Sequence, residues 1–295
     1  MNIKHVTMTV LAVLCLGSVS MAAPTPVILI GVDGFSAEMY NKYKKDLPNL
    51  TALEKSGAST TEMRSVLPSS SAINWKSMLS GSPTELHGFT KWGSKSPELP
   101  SREIGNYGQY PGIFGILRDQ RPTAVTGCFY DWEGIKYLME EDAISESKNA
   151  KPDEIVKLTE SFLKRNPQFI FIHLDITDGA GHKYGWESKE YEEACKTADK
   201  VVGELVQAVK KSPMNGKMAI FFASDHGGKG KNHGGITLSE VRTPFIMAGP
   251  GIKRNEKITD STMVYDITAT IAKLLELKQP QVWTGRPIEQ GLLKK

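Results

Sequence analysis

Short apolar runs alternate with amphipathic stretches along most of the 295-residue chain. The runs are apolar along their whole length, which is typical of strands buried on both faces of a sheet. They occupy residues 26–33, 123–130, 167–175, 217–225 and 243–250. Other stretches repeat their apolar residues at helical spacing, at 47–58, 152–166, 188–211 and 266–277. This alternation predicts an α/β fold with a mostly parallel central sheet and helices on both faces.

The first 22 residues have the pattern of a secretory signal peptide. Lys4 and His5 form a positive head, residues 6–19 are apolar, and Ser20 and Ala22 are small residues before a predicted cleavage after Ala22. The apolar stretch is too short for a spanning helix, although a retained anchor is the alternative. No later stretch of the sequence approaches the ~20 apolar residues of a membrane span. We therefore expect a secreted or periplasmic protein without stable membrane insertion.

Composition changes this picture little. We expect residues 23–295 to form a single domain, with an irregular surface segment at 91–112, which is rich in Gly, Pro and Ser. Hydrophobic and charged fractions of 40% and 23% are ordinary for a globular protein. The net charge is only +3 and the basic residues are scattered, so nothing indicates binding to a nucleic-acid duplex. The oligomeric state is left open.

Cleavage of the signal peptide would leave two cysteines, Cys128 and Cys195. In an oxidising compartment they could form a disulfide, and each could equally be a small buried side chain. The sequence favours neither alternative.

Three of the predicted strands end in an acidic residue. Asp33 follows "VILIGV", Asp175 follows "FIFIHL" and Asp225 follows "AIFFAS". The carboxyl ends of parallel strands meet at one edge of a sheet, and ligands bind in the crevice outside that edge. We therefore expect these acids to converge on one site.

Histidines accompany these acids beside glycines. Asp178 and His182 stand in "DGAGH", His226 follows Asp225 in "SDHGG", and His233 stands in "KNHGG". Carboxylates and imidazoles together suit zinc and other divalent transition metals. A single short motif of this kind is weak evidence, but several at strand ends indicate a site for two divalent metal ions.

The motifs of the chain occur in a recognisable order. They run from "ILIGVDGF" and "PNLTALEKSGA" through "LPSSSAINWKSMLSGSPTELHG" and "DITDGAGHKYG" to "ASDHGG", "NHGG" and "TPFIMAGPGI". In this set the chain resembles the alkaline phosphatase superfamily, and specifically its type I phosphodiesterase/nucleotide pyrophosphatase branch. The resemblance covers nearly all of the chain after the signal peptide. It implies an alkaline-phosphatase-like catalytic domain.

The resemblance also implies a division of the metal ligands, with zinc as the expected metal. One ion would be held by Asp178, His182 and His233. The other would be held by Asp33, Asp225 and His226, with Ser71 coordinated as well. Asp175 competes with Asp178 for the first set, but the family pattern D-x-x-x-H favours Asp178 and leaves Asp175 as a supporting residue.

The nucleophile follows from the same resemblance. The family pattern P-[TS]-x-[TS]-x-P-N falls on residues 68–74, so Ser71 is the expected nucleophile and Asn74 the expected donor to a phosphoryl oxygen. Ile73 stands where the family has proline. Coordination to a divalent metal would lower the pKa of the Ser71 hydroxyl, and its attack would give a phospho-serine intermediate. A role of Ser71 as a helix N-cap is the alternative, and the two roles are compatible.

The resemblance therefore implies a metal-dependent phosphodiesterase or nucleotide pyrophosphatase that acts on a small phosphate ester or nucleotide-like molecule, and the signal-peptide pattern predicts that it is secreted. A phosphomonoesterase on the same metal core is one alternative, and a catalytically idle metal-binding module is another. His87 and His173 are expected to be structural. The natural substrate and the metal bound in the cell are left open by the sequence.

Overall fold

A computed structural model describes residues 24–294, so the predicted signal peptide lies outside the described part of the chain. One eight-stranded sheet forms its centre, in the order β4-β3-β5-β1-β6-β7-β2-β8. The strands are β1 (Val27–Val32), β2 (Gly57–Arg64), β3 (Thr126–Tyr130), β4 (Glu146–Asn149), β5 (Phe169–Leu174), β6 (Ala219–Ala223), β7 (Arg242–Ala248) and β8 (Glu256–Lys257). Neighbouring strands are parallel from β4 to β6, whereas β7 is antiparallel to both β6 and β2.

Ten α-helices connect and cover the strands in the described residues. They are α1 (Ala37–Tyr43), α2 (Pro48–Ser56), α3 (Ser71–Ser80), α4 (Thr84–His87), α5 (Ile113–Gln120), α6 (Pro152–Leu163), α7 (Ile176–Tyr184), α8 (Lys189–Lys211), α9 (Leu238–Val241) and α10 (Asp266–Leu274). Local chemistry sets some of these ends. Pro48 and Pro152 occupy the first positions of α2 and α6, and the Ser188 hydroxyl accepts a hydrogen bond from Tyr191 N at the start of α8.

Strand β1 shows how the sheet separates two hydrophobic cores. Val27 and Leu29 point to a core that includes residues of α3, α5 and α10, whereas Ile28 and Ile30 point to a core that includes residues of α1, α2, α6 and α8. All six residues of the strand are buried. A strand buried on both faces explains why its sequence is apolar without alternation.

The predicted α/β fold with helices on both faces is confirmed. The predicted strands and helices are all present, with ends that differ by a few residues. Residues 88–112 contain no helix or strand, as expected for the segment at 91–112. The sequence analysis missed β2, whose polar residues gave no strand signal, and it missed the antiparallel direction of β7.

Two further expectations concern the cysteines and the membrane. Cys128 and Cys195 are both buried and free, and they belong to the cores on opposite faces of the sheet. The fold thus excludes the disulfide alternative. Among residues 24–294, no helix is both long enough and apolar enough to cross a membrane.

Candidate active site

The parallel strands bring four acidic residues to one edge of the sheet. Asp33, Asp175 and Asp225 follow β1, β5 and β6 at their carboxyl ends, as predicted, and Asp131 follows β3 in the same way. The signal that identified the other three, an acid directly after an apolar strand, also applies to Asp131, but the sequence analysis missed it. The edge is the place where an open α/β sheet binds its ligands.

Helix α3 begins at this edge with Ser71. The Ser71 hydroxyl is almost fully buried and lies 3.3 Å from Asp33 Oδ1, to which it can donate, and 3.1 Å from His226 Nε2. Ser70 precedes the helix in an extended conformation. The fold therefore places the expected nucleophile beside residues of the expected metal site.

Gly34 lets the loop after β1 approach α7 closely. Its φ of +65° lies in the left-handed region that favours glycine, and a Cβ atom there would stand 2.8 Å from Asp178 Oδ1. The backbone N–H of Gly34 also donates to Asp225 Oδ1 at 3.1 Å. A residue without a side chain thus allows Asp178 and Asp225 to gather around the end of β1.

Three histidines at the site are oriented in the same way. The Nδ1 atoms of His182, His226 and His233 lie 3.0, 2.8 and 3.0 Å from the backbone carbonyl oxygens of Lys231, Gly227 and Ser69. A carbonyl oxygen only accepts, so each Nδ1 carries the proton. In the neutral ring Nε2 then carries a lone pair, and this is the arrangement typical of histidines that bind metals.

These Nε2 atoms point at carboxylate oxygens. His226 Nε2 lies 3.2 Å from Asp225 Oδ2 and 3.4 Å from Asp33 Oδ1. Near Asp178, His182 Nε2 is 3.3 Å from Oδ2 and His233 Nε2 is 3.7 Å from Oδ1. Lone pairs that face carboxylates repel one another unless a proton or a cation lies between them.

Two carboxylate oxygens support the choice of a cation. Asp178 Oδ1 and Asp225 Oδ2 are buried and have no hydrogen-bond donor among the described residues. Ligand atoms lie within 4.8 Å of one another in three sets: Asp33 with Asp225 and His226, Asp178 with His226 and His233, and Asp33 with Asp175 and Asp178. Mixed oxygen and nitrogen donors of this kind suit zinc and related divalent ions. The residues therefore fit a metal centre.

The pKa values agree with this chemistry. Burial lowers the pKa of His233 to about 4, so its ring is neutral near pH 7. Burial and the charge of Asp33 raise the pKa of Asp225 well above its usual range. The same two causes raise the pKa of Asp175 to about 8. These raised pKa values arise because several carboxylates lie close together in one buried site, and the positive charge of the protein does not fully offset their negative charge.

His182 lies at the mouth of the site. Its ring centroid is 4.9 Å from that of His233, and the His233 ring is in turn stacked on the His226 ring at 3.9 Å. Together with Ser70 and Trp92, His182 and His233 line an open cleft of about 330 Å³. This cleft gives access from solvent to the site.

The structure corrects the role predicted for Asn74. Its side chain is fully buried, and Nδ2 donates to the carbonyl oxygens of Val66, Pro68 and Ser70 at 3.3, 3.2 and 3.1 Å. Its Oδ1 accepts from Val66 N at 2.7 Å. Because both polar atoms of the Asn74 amide bond to backbone groups, the side chain holds the loop that leads to Ser71 and has no free donor for a phosphoryl oxygen.

The other two histidines among residues 24–294 differ in their contacts. His87 is structural, as predicted: its Nδ1 accepts from Phe89 N at 3.1 Å and its Nε2 lies 2.9 Å from Ser77 Oγ. His173 is buried, as predicted, but it contacts the site, since its Nε2 lies 3.0 Å from Asp33 Oδ2. The Trp75 indole donates to the same oxygen at 2.7 Å. The sequence analysis missed both contacts with Asp33.

The chain is similar in sequence to proteins named as phosphodiesterases and ectonucleotide pyrophosphatases. Venom phosphodiesterase 2 of Crotalus adamanteus is 25% identical over 220 residues, which cover 69% of this chain and 27% of that protein. Human ectonucleotide pyrophosphatase/phosphodiesterase family member 1 is 25% identical over 275 residues, which cover 86% of this chain and 30% of that protein. The chain thus spans less than a third of the length of these relatives.

Solved structures show the same fold. Human ectonucleotide pyrophosphatase/phosphodiesterase 5 has a TM-score of 0.71 at 14% identity, with 86% of this chain and 96% of that chain covered. The alkaline phosphatase PafA has a TM-score of 0.79 at 11% identity, with 92% of this chain and 100% of that chain covered. The expected alkaline-phosphatase-like fold is confirmed.

The family itself is decided by sequence. A sequence model described as type I phosphodiesterase / nucleotide pyrophosphatase matches residues 27–241, which is well over half of the chain. The matched range contains the strand-end acids, the serine triplet and the histidine motifs on which the resemblance depends. The chain belongs to the type I phosphodiesterase/nucleotide pyrophosphatase family.

Proposed function

We propose that this protein is a secreted hydrolase of phosphodiesters or nucleotide pyrophosphates that uses two divalent metal ions, zinc by expectation, and forms a phospho-Ser71 intermediate. One observation carries the proposal. The Nε2 atoms of His226 and His233 and buried oxygens of Asp178 and Asp225 face one another beside the Ser71 hydroxyl. Divalent cations bound here would relieve the repulsion between these groups and would also activate the serine hydroxyl.

Seven side chains form the proposed metal centre. Asp178, His182 and His233 would hold one ion, and Asp33, Asp225 and His226 would hold the other together with Ser71. His226 also belongs to a set with Asp178 and His233, so it lies between the two groups of ligands. When bound, the ions would lower the pKa of the serine hydroxyl and offset negative charge on the phosphoryl oxygens.

The chain's own residues account for the two chemical steps. Asp33 Oδ1 and His226 Nε2, at 3.3 and 3.1 Å, orient Ser71 Oγ. Ser71 Oγ releases its proton to solvent and attacks phosphorus, its O–P bond forms, the bond from phosphorus to the leaving oxygen breaks, and the leaving oxygen takes up a proton from solvent. Water then attacks the phosphoryl group and gives up a proton, its own O–P bond forms, the bond to Ser71 Oγ breaks, and the serine oxygen takes up a proton in exchange.

The surroundings of Ser71 support an anionic phosphoryl group. Ser71 is the first residue of the ten-residue helix α3, and the N-terminus of a helix attracts anions. The cleft above it is lined by Ser70, Trp92, His182 and His233, and none of these is a lysine or arginine. A diester needs less compensating positive charge than a monoester dianion, so this lining favours a diester.

Secretion is part of the proposal. The charged head, apolar core and small residues of the first 22 positions support export and cleavage after Ala22. Relatives of this chain are named venom phosphodiesterases and ectonucleotide pyrophosphatases. N-terminal sequencing of exported protein should give Ala23 as the first residue, and material that still begins at Met1 would contradict cleavage.

A substrate panel on the purified zinc-loaded protein tests the activity. We expect a higher kcat/KM for bis(nitrophenyl) phosphate and for a nitrophenyl ester of a nucleotide than for nitrophenyl phosphate, and no turnover of a nitrophenyl sulfate. Higher activity on the monoester would establish the phosphomonoesterase alternative instead. Two bound metal ions without turnover of any ester would establish an idle metal-binding module.

A further inference from the structure

We propose that His173, with Asp131 behind it, is a positioning residue that fixes Asp33 as a ligand through one oxygen only. The inference rests on the proposed function, because it concerns how Asp33 meets the ion shared with Ser71. It assigns separate roles to the two oxygens of one carboxylate. Oδ2 is held by the protein, and Oδ1 is left for the metal.

The register of the sheet places His173 between two acids. On β5, His173 pairs with Gly31 of β1 on one side and with Tyr130 of β3 on the other. Asp33 and Asp131 follow these two strands, so the imidazole ring lies between them. His173 Nε2 is 3.0 Å from Asp33 Oδ2, and its Nδ1 is 3.3 Å from Asp131 Oδ1.

The contact with Asp131 is an ion-pair distance without a well-aligned hydrogen bond, since Nδ1 has no such partner among the described residues. Asp131 is itself fixed, because its Oδ1 accepts from the backbone N–H of Asp175 at 2.7 Å. Its contribution to His173 is therefore mainly electrostatic. A fixed negative charge on one side of the ring keeps the other nitrogen as a donor toward Asp33.

Trp75 completes the hold on Oδ2. Its indole N–H donates to Asp33 Oδ2 at 2.7 Å, so this oxygen has two donors. Gly31 provides the space for the indole, since a Cβ atom at that position would lie 2.4 Å from Trp75 Cη2. A carboxylate has about four lone-pair positions on its two oxygens, and those of Oδ2 are both used.

The other oxygen faces the reaction centre. Asp33 Oδ1 lies 3.3 Å from Ser71 Oγ and 3.4 Å from His226 Nε2. Because Oδ2 cannot turn away from His173 and Trp75 without losing two buried hydrogen bonds, the carboxylate cannot rotate to present both oxygens. The geometry thus predicts that Asp33 is held rigidly and binds the ion through Oδ1 alone, next to Ser71 Oγ.

Metal affinity tests this inference without relying on turnover. The full-length mature protein is stripped and titrated with zinc against a chromophoric chelator, and its cobalt form is examined by visible absorption. We expect His173→Phe to weaken one of the two sites by about 10–100-fold, as loss of an outer-shell partner typically does. The cobalt spectrum of that site should change as well. His173→Gln, whose amide can donate in place of Nε2, should retain most of the affinity.

His87→Phe is the matched control. His87 is as deeply buried as His173 and both of its ring nitrogens have partners, but it contacts none of the proposed ligands. It should leave both affinities and the cobalt spectrum unchanged, even if the protein becomes less stable.

The possible outcomes separate the two proposals. Wild-type protein that binds no divalent ion contradicts the proposed function. If the wild-type protein binds two ions and a folded His173→Phe variant keeps the same metal affinity and cobalt spectrum, only the inference about His173 is overturned. If His173→Phe does not fold, Asp131→Asn decides: weaker binding at the same site supports the inference, and unchanged binding overturns it.

Discussion

Ser71 Oγ lies 3.1 Å from His226 Nε2, although the two residues are 155 positions apart in the chain. The first turn of α3 supplies the hydroxyl, and the loop after β6 supplies the imidazole. Neither is close to the other until the sheet has formed. Folding of the sheet therefore brings the proposed nucleophile together with the proposed metal ligands.

Replacement of Ser71 tests the proposed nucleophile. Ser71→Ala should lower kcat by roughly 10⁴–10⁶-fold, the range typical for loss of a nucleophile. Ser71→Thr should keep substantial activity, because its hydroxyl can occupy the same position. Mass spectrometry after rapid quenching should find the phosphoryl group on Ser71.

Ser69→Ala is the control for that experiment. Its hydroxyl donates to Gly235 O at 2.7 Å, away from the nucleophile's contacts, so we expect about 1 kcal/mol lower stability and near-normal kcat. Wild-type kcat in Ser71→Ala would refute the assignment. If a normally folded Ser69→Ala variant lost all activity, the nucleophile would have been assigned to the wrong serine.

Asn74→Ala should act on the fold of the loop before Ser71. It leaves Val66 N and three carbonyl oxygens without their side-chain partner, so urea unfolding should show a loss of about 1–3 kcal/mol. Activity should fall together with stability. An asparagine that binds the phosphoryl group would behave in the opposite way, with a large drop in kcat/KM at unchanged stability.

Removal of metal should destabilise the protein as well as inactivate it. Without cations, the carboxylates of Asp33, Asp178 and Asp225 face lone pairs and one another. An ion at a hundred times its Kd adds about 2.7 kcal/mol of stability, which thermal unfolding with and without chelator can measure. Zinc should restore both Tm and activity. Metal analysis that finds one ion or none after dialysis would contradict a binuclear site.

Lys76 should make the free energy of unfolding depend on pH, and it lies outside the proposed metal site. Its ammonium is fully buried in α3 and donates to Gln109 Oε1 at 2.8 Å. Burial, opposed by the charge of Glu140, lowers the pKa of Lys76 from 10.5 to about 8. The unfolded chain therefore binds this proton more tightly, and the resulting penalty on the folded state is complete below pH 8.

Wild-type stability should consequently rise relative to Lys76→Met as pH increases from about 8 to 10.5. The expected gain is about 3 kcal/mol, from 1.4 kcal/mol for each unit of pKa. Urea unfolding of both proteins across this range measures the difference. A difference that does not change with pH would mean that Lys76 is not desolvated as the fold implies.

Much of the fold could be predicted because its strands are buried on both faces. Such strands are apolar throughout, and their alternation with helices indicates parallel order. Strand β2 could not be found in this way, since Ser59, Thr60 and Thr61 are polar and its burial comes from neighbouring strands. The direction of β7 depends on its pairing with β2 and β6, which an apolar run does not specify.

The site was predictable where residues directly follow strands or match family motifs. Asp33 and Asp225 needed only the strand-end rule. The role of Asn74 depends on how the backbone from Val66 to Ser70 curls around it, and no sequence pattern fixes that path. The contact of His173 with Asp33 spans 140 positions and requires the register of β1 against β5.

The two free thiols have a practical consequence. Cys128 lies under one helical layer and Cys195 under the other, and neither can react with a thiol reagent while its layer is closed. A variant that keeps only one of these cysteines therefore reports on the opening of one face of the sheet. Thiol-labelling rates measured with and without zinc would show whether the helical layers on the two faces open together or separately, and whether zinc slows the opening of both.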